Sequence, residues 1–237
     1  MNSACHSLAF TAQWPPRVQV AGVSSIEEAL FCNRIGVEAL GFTLDLPDGP
    51  HDDLTTEKAR EIIGLLPPDI LPVVITYHQT SKGACRLVTT VGGNAVQFHA
   101  GICEDQIGLF RELCPRIRTI ARVTVRDDLA IAEALQFRPP LWDAIILDSF
   151  DPRTGRHGAT GLTHDWTISA RIVERSHLPV ILAGGLTPEN VRNAIRQVRP
   201  LGVDVHTGVE NIDGSRDLDK IRSFTRAALE AFRELKL

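Results

Sequence analysis

The chain has 237 residues, of which 43% are hydrophobic and 23% charged, and its formal net charge at pH 7 is −4. This length suffices for a hydrophobic core that needs no disulfide or metal, and it suits a single α/β barrel of about 250 residues. The acidic balance and the lack of a Lys/Arg cluster argue against nucleic acid or an anionic membrane as a partner, and no apolar run approaches the ~20 residues of a membrane span.

Eight short apolar runs alternate with longer segments of helical period. The predicted strands are residues 17–21, 38–43, 71–77, 95–99, 117–123, 142–147, 179–183 and 202–206. The predicted helices are residues 26–35, 56–66, 82–91, 105–113, 126–135, 165–175, 188–198 and 218–235. Near-continuous apolar strands are typical of a parallel sheet that is buried on both faces.

This alternation predicts an α/β fold, a single-domain (β/α)8 TIM barrel over residues 17–237. Residues 1–16 are expected to form a poorly ordered N-terminal extension. An open, doubly wound sheet is the alternative architecture. That fold usually carries a GxGxxG turn after its first strand, whereas Gly22 is the only glycine in the corresponding turn here.

The five cysteines, Cys5, Cys32, Cys85, Cys103 and Cys114, are scattered along the chain and form no CxxC motif or zinc-site spacing. We predict that they are free thiols in a reducing compartment. Residues 1–16 lack the basic start and apolar middle of a secretory signal. A cytoplasmic location is therefore expected.

Three glycine-rich turns follow the last three predicted strands, where barrels of this kind commonly bind phosphate. Glycines allow a ligand close to the backbone, and the start of a following helix offers unpaired N–H groups to an anion. We predict that the turns converge into one phosphate site, although each glycine alone could simply turn the chain. The predicted phosphate-binding residues are Gly158, Ala159, Thr160, Gly161, Gly184, Gly185, Thr207 and Gly208.

One carboxylate follows a predicted strand directly, because Asp148 comes just after the apolar run 145–147. Burial beside an apolar strand raises the pKa of a carboxyl group, which suits it to donate a proton. We predict that Asp148 is a general acid at the barrel mouth. The structural alternative is an aspartate that caps a helix or fixes a loop.

Other polar side chains near strand ends are candidates for a substrate pocket. Gln97 and His99 alternate along the fourth strand and project to the same side, either into the lumen or into a satisfied core pair. Arg122 either binds an anionic group or pairs with an acid. Asp204 points either into the barrel or to a neighbouring loop, and it either orients the substrate or has a structural role. The predicted pocket consists of these four residues with Ala21 and His206.

Two chemistries are disfavoured by the residue types at the strand ends. No predicted strand ends in a lysine, as a Schiff-base aldolase requires. His99, His206 and Asp148 could meet in space, but they do not form the paired pattern of a metal-dependent epimerase. We expect no metal.

Several motifs resemble those of the phosphoribosylanthranilate isomerase family, in uninterrupted order from about Arg17 to Phe232. They are residues 18–23 (VQVAGV), 96–99 (VQFH), 147–149 (LDS), 158–161 followed by Asp165 and Trp166, 183–191 (AGGLTPENV) and 202–210 (GVDVHTGVE). The resemblance implies a (β/α)8 barrel that converts an aminoaldose phosphate to an aminoketose phosphate in tryptophan biosynthesis, without cofactor or metal. It places the family's general acid on Asp148.

The sequence departs from the family pattern at two functional positions. The base that the family has near the end of its first strand is a Cys, and Ala21 stands there, whose methyl group accepts no proton. The loop 44–53 has four aspartates and lacks the arginine with which the family contacts anthranilate. Loss of a positioned acid or base typically costs a factor of about 10² to 10⁴ in rate.

We therefore predict an isomerase-like barrel that performs an Amadori-type or related proton transfer on a phosphorylated sugar or sugar adduct. Its partner is this phosphorylated small molecule, and the protein is a monomer or a homodimer. Asp45, His51, Tyr77 and His99 are candidate replacement bases. The alternatives are a phosphosugar-binding or regulatory barrel that has lost catalysis and a metal-assisted epimerase or aldolase.

Overall fold

The computed structural model describes residues 12–46, 54–151, 156–157 and 162–237. The barrel strands are β1 (Val18–Ala21), β2 (Ala39–Leu44), β3 (Leu71–Thr76), β4 (Ala95–Phe98), β5 (Arg118–Thr124), β6 (Ala144–Asp148), β9 (Val180–Leu182) and β10 (Gly202–Val205). The helices are α1 (Ile26–Arg34), α2 (Thr56–Gly64), α3 (Ser81–Val91), α4 (Glu104–Leu113), α5 (Leu129–Ala134), α6 (Trp166–Arg175), α7 (Val191–Val198) and α8 (Leu218–Leu235).

The eight strands close into a parallel barrel in the order β1-β10-β9-β6-β5-β4-β3-β2. β1 pairs with β10, with Val20 opposite Val205, and this contact joins the first barrel strand to the last. The predicted TIM barrel is confirmed, and the closed ring excludes an open sheet. Because all the strands are parallel, their carboxyl ends form one rim.

The barrel has an inner and an outer apolar layer, as alternate strand residues face opposite sides. Small and branched side chains fill the lumen; they are Ala39, Leu71, Val73, Ala95, Ile120, Ala144, Ile146, Ile181 and Ala183. Larger side chains, including Phe42, Phe98, Phe110, Phe224 and Phe232, are fully buried between the sheet and the helices. Most positions on both faces of the strands are therefore buried, which explains the near-continuous apolar runs.

Side-chain caps determine where several helices begin. The hydroxyls of Ser25 and Thr55 accept hydrogen bonds from backbone N–H groups three residues later, as capping residues do. The predicted starts of α5 and α7 are too early by three residues each. Asp127 accepts from the N–H of Leu129, and Asn190 accepts from the N–H of Thr187, so both segments form a capped turn before the helix.

Two short strands were not predicted. β7 (Phe150–Asp151) and β8 (Arg156–His157) pair antiparallel in the long connection after β6. A short 3-10 helix (Thr207–Val209) follows β10. Such two- and three-residue elements carry no hydrophobic period, so the sequence pattern does not reveal them.

The end of the predicted N-terminal extension is packed against the barrel. The ring of Trp14 and the side chain of Ala12 contact the lumen cluster, and the guanidinium carbon of Arg118 lies 5.4 Å from the Trp14 ring centroid. A Cβ on Gly202 would lie only 2.1 Å from the carbonyl oxygen of Pro16. Ala12, Trp14 and Pro16 therefore pack against the barrel, although they precede β1.

The prediction of free cysteines is wrong for one pair. Cys85 in α3 and Cys114 at the end of α4 form a disulfide across a sequence separation of 29 residues. Sequence spacing does not reveal this pairing, because it depends on the packing of α3 against α4. Cys32 and Cys103 are free thiols. Within the described ranges, no helix is both long and apolar enough to cross a membrane.

Candidate active site

The predicted pocket residues on the strands face the lumen. Arg122 and Asp148 lie two residues beyond Ile120 and Ile146, which belong to the lumen cluster, so their side chains share its face. Gln97 lies two residues beyond Ala95 of the same cluster. The structure therefore brings these polar groups together toward the carboxyl rim of the barrel, where barrel enzymes build their sites.

Asp148 is the last residue of β6, and only 6% of its surface is exposed. Desolvation by burial raises the pKa of its carboxyl group to about 6. The N–H of Ser149, which donates to Asp148 Oδ1 at 2.8 Å, and the charges of Arg122 and His206 oppose this rise. A carboxyl group with this pKa exists in both protonation states near neutral pH, as a general acid must.

Arg122 is the cation beside this carboxyl group. Its Nε donates to the carbonyl oxygen of His99 at 2.6 Å, and its Nη1 donates to the Thr124 hydroxyl at 2.7 Å. Burial lowers the pKa of the guanidinium, and the charge of Asp148 opposes that effect. These hydrogen bonds fix the guanidinium in the lumen, where it compensates negative charge on Asp148.

The rings of His99 and Tyr77 form an aromatic pair on the same side of the barrel. Their centroids are 5.1 Å apart and the rings are tilted by 48°. His99 is buried, and its ring packs against Tyr77. The pair lies next to Arg122, because the His99 carbonyl oxygen accepts a hydrogen bond from Arg122 Nε.

Asp204 is a second buried lumen carboxylate, which settles the open question of its direction. It lies opposite Gln19 of β1 in the sheet register, and Gln19 Nε2 also donates to Gln97 Oε1 across the lumen at 3.4 Å. Burial raises the pKa of Asp204 to about 7, the charge of Asp148 adds to the rise, and a hydrogen bond from Gln19 opposes it. The two aspartates therefore influence each other's protonation.

The last residue of β1 and the residue after it are small, and two side chains that follow β10, His206 and Arg216, cover them. The methyl of Ala21 is followed by Gly22, which adopts a left-handed φ of +75°. A Cβ on Gly22 would lie 1.7 Å from Arg216 Nη2 and 2.5 Å from His206 Nε2. Only glycine therefore leaves room for this guanidinium and this imidazole at the end of the first strand.

A carboxylate joins these two groups. Glu210 Oε1 lies 2.5 Å from Arg216 Nη1 and 3.5 Å from His206 Nε2. The Nε of Arg216 also donates to the carbonyl oxygen of Gly22 at 3.1 Å, and Glu210 and Arg216 pair as an antiparallel bridge. We call His206, Glu210 and Arg216 the rim cluster. Sequence reasoning missed Glu210 and Arg216, because they lie in a turn without a strand or helical period.

The glycine turns meet beside Asp148. A Cβ on Gly184 would lie 2.8 Å from the backbone nitrogen of Ser149, and one on Gly185 would lie 2.3 Å from the carbonyl carbon of Leu162. A Cβ on Gly208 would lie 1.9 Å from the carbonyl oxygen of Leu186. The connections after β6, β9 and β10 are therefore in direct backbone contact.

Part of the predicted phosphate site cannot be placed in this arrangement. Gly158, Ala159, Thr160 and Gly161 lie outside the described residues. Thr207 opens the 3-10 helix after β10, next to Gly208, and Asn190 holds the turn after β9 by donating to the carbonyl oxygen of Gly185 at 2.9 Å.

Asp45 and His51 are two of the remaining candidate bases. Asp45 bonds to the partly exposed His78, with 3.1 Å between Asp45 Oδ2 and His78 Nε2, and His51 lies outside the described residues. Within the part of the chain that the structure describes, no three His, Cys, Asp or Glu side chains are arranged to hold a metal.

Comparisons with known proteins match this architecture. The family described as N-(5'-phosphoribosyl)anthranilate (PRA) isomerase matches residues 42–227. The chain belongs to the phosphoribosylanthranilate isomerase family. It is 35% identical to N-(5'-phosphoribosyl)anthranilate isomerase 2 of Methanosarcina mazei over 91% of this chain and 95% of that protein. It is 36% identical to the isomerase of Haloferax volcanii over 91% of this chain and 94% of that one.

Solved structures of phosphoribosylanthranilate isomerases share the fold. The Thermotoga maritima enzyme superposes with a TM-score of 0.76 at 34% identity, covering 90% of this chain and 98% of that one. A structure of a family member in complex with reduced 1-(o-carboxyphenylamino)-1-deoxyribulose 5-phosphate superposes with a TM-score of 0.74 at 32% identity and the same coverage. The protein is thus a barrel enzyme of the intramolecular isomerase class.

Proposed function

We propose that this protein isomerises N-(5'-phosphoribosyl)anthranilate, an aminoaldose phosphate, to the corresponding aminoketose phosphate. The observation that carries the proposal is the buried carboxyl group of Asp148, whose raised pKa fits it to donate a proton beside the converging glycine turns that follow β9 and β10. Membership of the isomerase family supports the choice of substrate.

Asp148 is the general acid in this proposal. It protonates the ring oxygen of the ribose, the bond from that oxygen to C1 breaks, and the ring opens to an iminium ion. Burial keeps a useful fraction of the carboxyl group protonated near neutral pH. Arg122 stabilises the carboxylate that remains after the proton has left.

The phosphate binds to the turns after β6, β9 and β10. Gly184, Gly185, Thr207 and Gly208 supply backbone N–H groups and a hydroxyl. Backbone N–H groups in such turns form a concave site for an anion. We assign the aromatic carboxylate of the substrate to Arg122, whose guanidinium is bonded to the carbonyl oxygen of His99 and so lies beside the Tyr77–His99 ring pair.

The chemistry proceeds by proton transfer alone, and we propose that it needs no cofactor. The cytoplasmic location and the choice between a monomer and a homodimer stay predictions. The exclusion of nucleic acid as a partner rests on the acidic charge balance of the sequence.

The direct test is steady-state turnover of N-(5'-phosphoribosyl)anthranilate by the purified full chain, with formation of the aminoketose followed over time. We expect saturable conversion that inorganic phosphate inhibits by competition. Absence of conversion at substrate concentrations that saturate binding would contradict the proposal.

A second candidate function is phosphosugar binding without catalysis, and the methyl group of Ala21 favours it, because this position has no proton acceptor. In that case a phosphorylated ligand binds and remains unchanged. Binding of the substrate by calorimetry together with zero turnover would select this alternative over the isomerase.

A further inference from the structure

Aldose–ketose isomerisation needs a base as well as an acid, because a proton must leave C2 of the sugar. This inference rests on the proposed isomerase function and asks which side chain accepts that proton, since the methyl group of Ala21 cannot. We propose that Asp204, on the last barrel strand, is the general base of this protein and forms one catalytic pair with Asp148.

The first observation is the position of the two carboxyl groups in the barrel. Leu182 of β9 pairs with β6 on one side and with β10 on the other, and the same register places the next residue, Ala183, between Asp148 and Asp204. Ala183 belongs to the lumen cluster, so its two neighbours also face the lumen. Strands lie about 4.8 Å apart, which puts the backbones of β6 and β10 about 10 Å from each other. The two carboxyl groups therefore face the lumen on either side of one small residue.

The second observation is an oxygen of Asp204 that accepts no hydrogen bond. Asp204 Oδ1 is buried and has no partner among the described residues, so the amide of Gln19 on the opposite strand leaves this oxygen open. Buried polar atoms are normally hydrogen-bonded, and an exception calls for a functional explanation such as a catalytic role. A carboxylate oxygen with an unused lone pair in the lumen can accept a proton from a bound molecule.

The third observation is the space between Asp204 and the rim. Two residues beyond Gln19, which is the register partner of Asp204, β1 carries Ala21 on the same face, and Ala21 lies opposite Gly41 of β2. A methyl group and a hydrogen thus occupy the positions toward the rim. Asp204 is 8% exposed and Asp148 is 6% exposed. A ligand at the rim therefore reaches the two carboxyl groups to a similar extent.

The protonation of the two carboxyl groups suits a shared task. Burial raises the pKa of Asp148 to about 6 and that of Asp204 to about 7, and the charge of Asp148 adds to the rise at Asp204. Between these values the pair holds about one proton, which can lie on either group. The form with the proton on Asp148 offers an acid and a base at the same time.

The proton balance closes with this pair. Asp148 gives its proton to the ring oxygen, and the C1–O bond breaks to leave an iminium ion. Asp204 takes the proton from C2, the electron pair of that C–H bond forms the C1=C2 double bond, and the C=N electron pair returns to nitrogen to give the enolamine. Proton addition to C1 and proton loss from the C2 hydroxyl then give the ketone and leave one proton on the pair.

The kinetic test compares wild type with Asp204→Asn, which keeps the size of the side chain but removes the base. We expect kcat for N-(5'-phosphoribosyl)anthranilate to fall by about 10² to 10⁴. KM should change by less than about threefold, and the acidic limb of the kcat/KM profile, which reports ionisation of the base, should disappear. The matched control is Asp69→Asn, an exposed aspartate before β3 at the other end of the barrel, which should leave both constants unchanged.

A rescue variant separates a proton acceptor from a structural residue. Adding Ala21→Cys to Asp204→Asn places a thiol on the neighbouring strand, between residue 204 and the rim, and we expect at least about a tenfold gain in kcat over Asp204→Asn. Wild-type kcat with an unchanged pH profile in Asp204→Asn would overturn the proposal. Loss of activity that Ala21→Cys does not restore would overturn it as well.

A readout without turnover keeps this inference distinct from the proposed function. The charged or titratable groups near Asp204 are Asp148 on β6, Arg216 beyond β10 and His206 two residues later on the same strand, while β1 and β9 contribute none. In ¹³C NMR titrations of the ligand-free protein, we expect the midpoint of the Asp204 carboxyl to fall by at least about one pH unit in Asp148→Asn. The same midpoint in both proteins would overturn the inference. Absence of turnover by wild type, with this coupling intact, would instead overturn the proposed function.

Discussion

Burial of Asp148 suits its carboxyl group to donate a proton, but it also lowers the stability of the folded protein at neutral pH. Its carboxyl group has a pKa of about 6 in the folded protein because burial disfavours the charged form. The folded state therefore binds more protons than the unfolded state between the ordinary pKa of 3.8 and about 6. By linkage, the contribution of this group to stability falls as the pH rises through that window and stays low above it.

Asp148→Asn should therefore stabilise the protein at pH 8. The amide has no charge to desolvate, and we expect the free energy of unfolding to rise by about 1 to 3 kcal/mol relative to wild type. The difference should shrink toward zero as the pH falls below the ordinary pKa of 3.8, because the wild-type carboxyl group is then mostly protonated in both states. Urea denaturation at about pH 3 and about pH 8 measures both values. A variant less stable than wild type at pH 8 would contradict this account.

Individual residues of the site were predictable only where the strand pattern located them. Asp148 follows an apolar run directly, and the structure places it on the lumen face. Arg216 and Glu210 had no such signal, because their position depends on a turn that folds back over Gly22. The direction of Asp204 stayed open, since a strand residue faces one of two sides and only the register decides.

The turns that follow the barrel strands contact one another closely along the rim. Gly208 lies so close to Leu186 that any side chain would meet the neighbouring backbone, with a Cβ 1.9 Å from its carbonyl oxygen. A Cβ added to Gly108, in the middle of α4, would have no neighbouring atom within 4 Å. These two glycines therefore serve as a test and its control.

We expect Gly208→Ala to lower the free energy of unfolding and to weaken competitive inhibition by phosphate at least tenfold, because the turn after β10 must move away from Leu186. Gly108→Ala should raise stability by about 0.5 to 1 kcal/mol, as alanine favours a helix over glycine. Thermal unfolding and phosphate inhibition measure both variants. Wild-type phosphate affinity in Gly208→Ala would show that the turn is not part of the phosphate site.

The disulfide between α3 and α4 also stabilises the arrangement of the elements. It closes a loop of 29 residues, and the entropy of such a loop in the unfolded chain corresponds to about 3 to 4 kcal/mol. Cys85→Ser with Cys114→Ser should lower the melting temperature relative to the oxidised protein. A matched Cys103→Ser variant, which removes an exposed free thiol, should not. Equal melting temperatures for the double variant and wild type would contradict a stabilising bond.

Most element positions followed from the sequence, because period and capping are local properties. α8 spans the predicted residues 218–235, and the barrel strands differ by at most two residues at either end. The starts of α5 and α7 were misplaced where Asp127 and Asn190 cap a turn first. The disulfide was missed because it depends on helix packing rather than on local sequence.

The architecture of the whole molecule was predictable from the alternation of strands and helices, because parallel strands that are buried on both faces read as apolar runs. Closure also explains why the turns after β6, β9 and β10 converge, since all parallel strands end at one rim. Which side chains are neighbours within that rim was harder to predict from the sequence. Ala21 meets His206 only because β1 pairs with β10, a contact between opposite ends of the chain.

The central claim is that a protonated Asp148 opens the sugar ring at this rim. The most direct measurement is the single-turnover rate of N-(5'-phosphoribosyl)anthranilate conversion by wild type and by Asp148→Asn at pH 6.5, with the affinity for phosphate measured in parallel. We predict a loss of at least about 10² in rate, with phosphate affinity within about threefold of wild type. Equal rates for the two proteins would contradict the account.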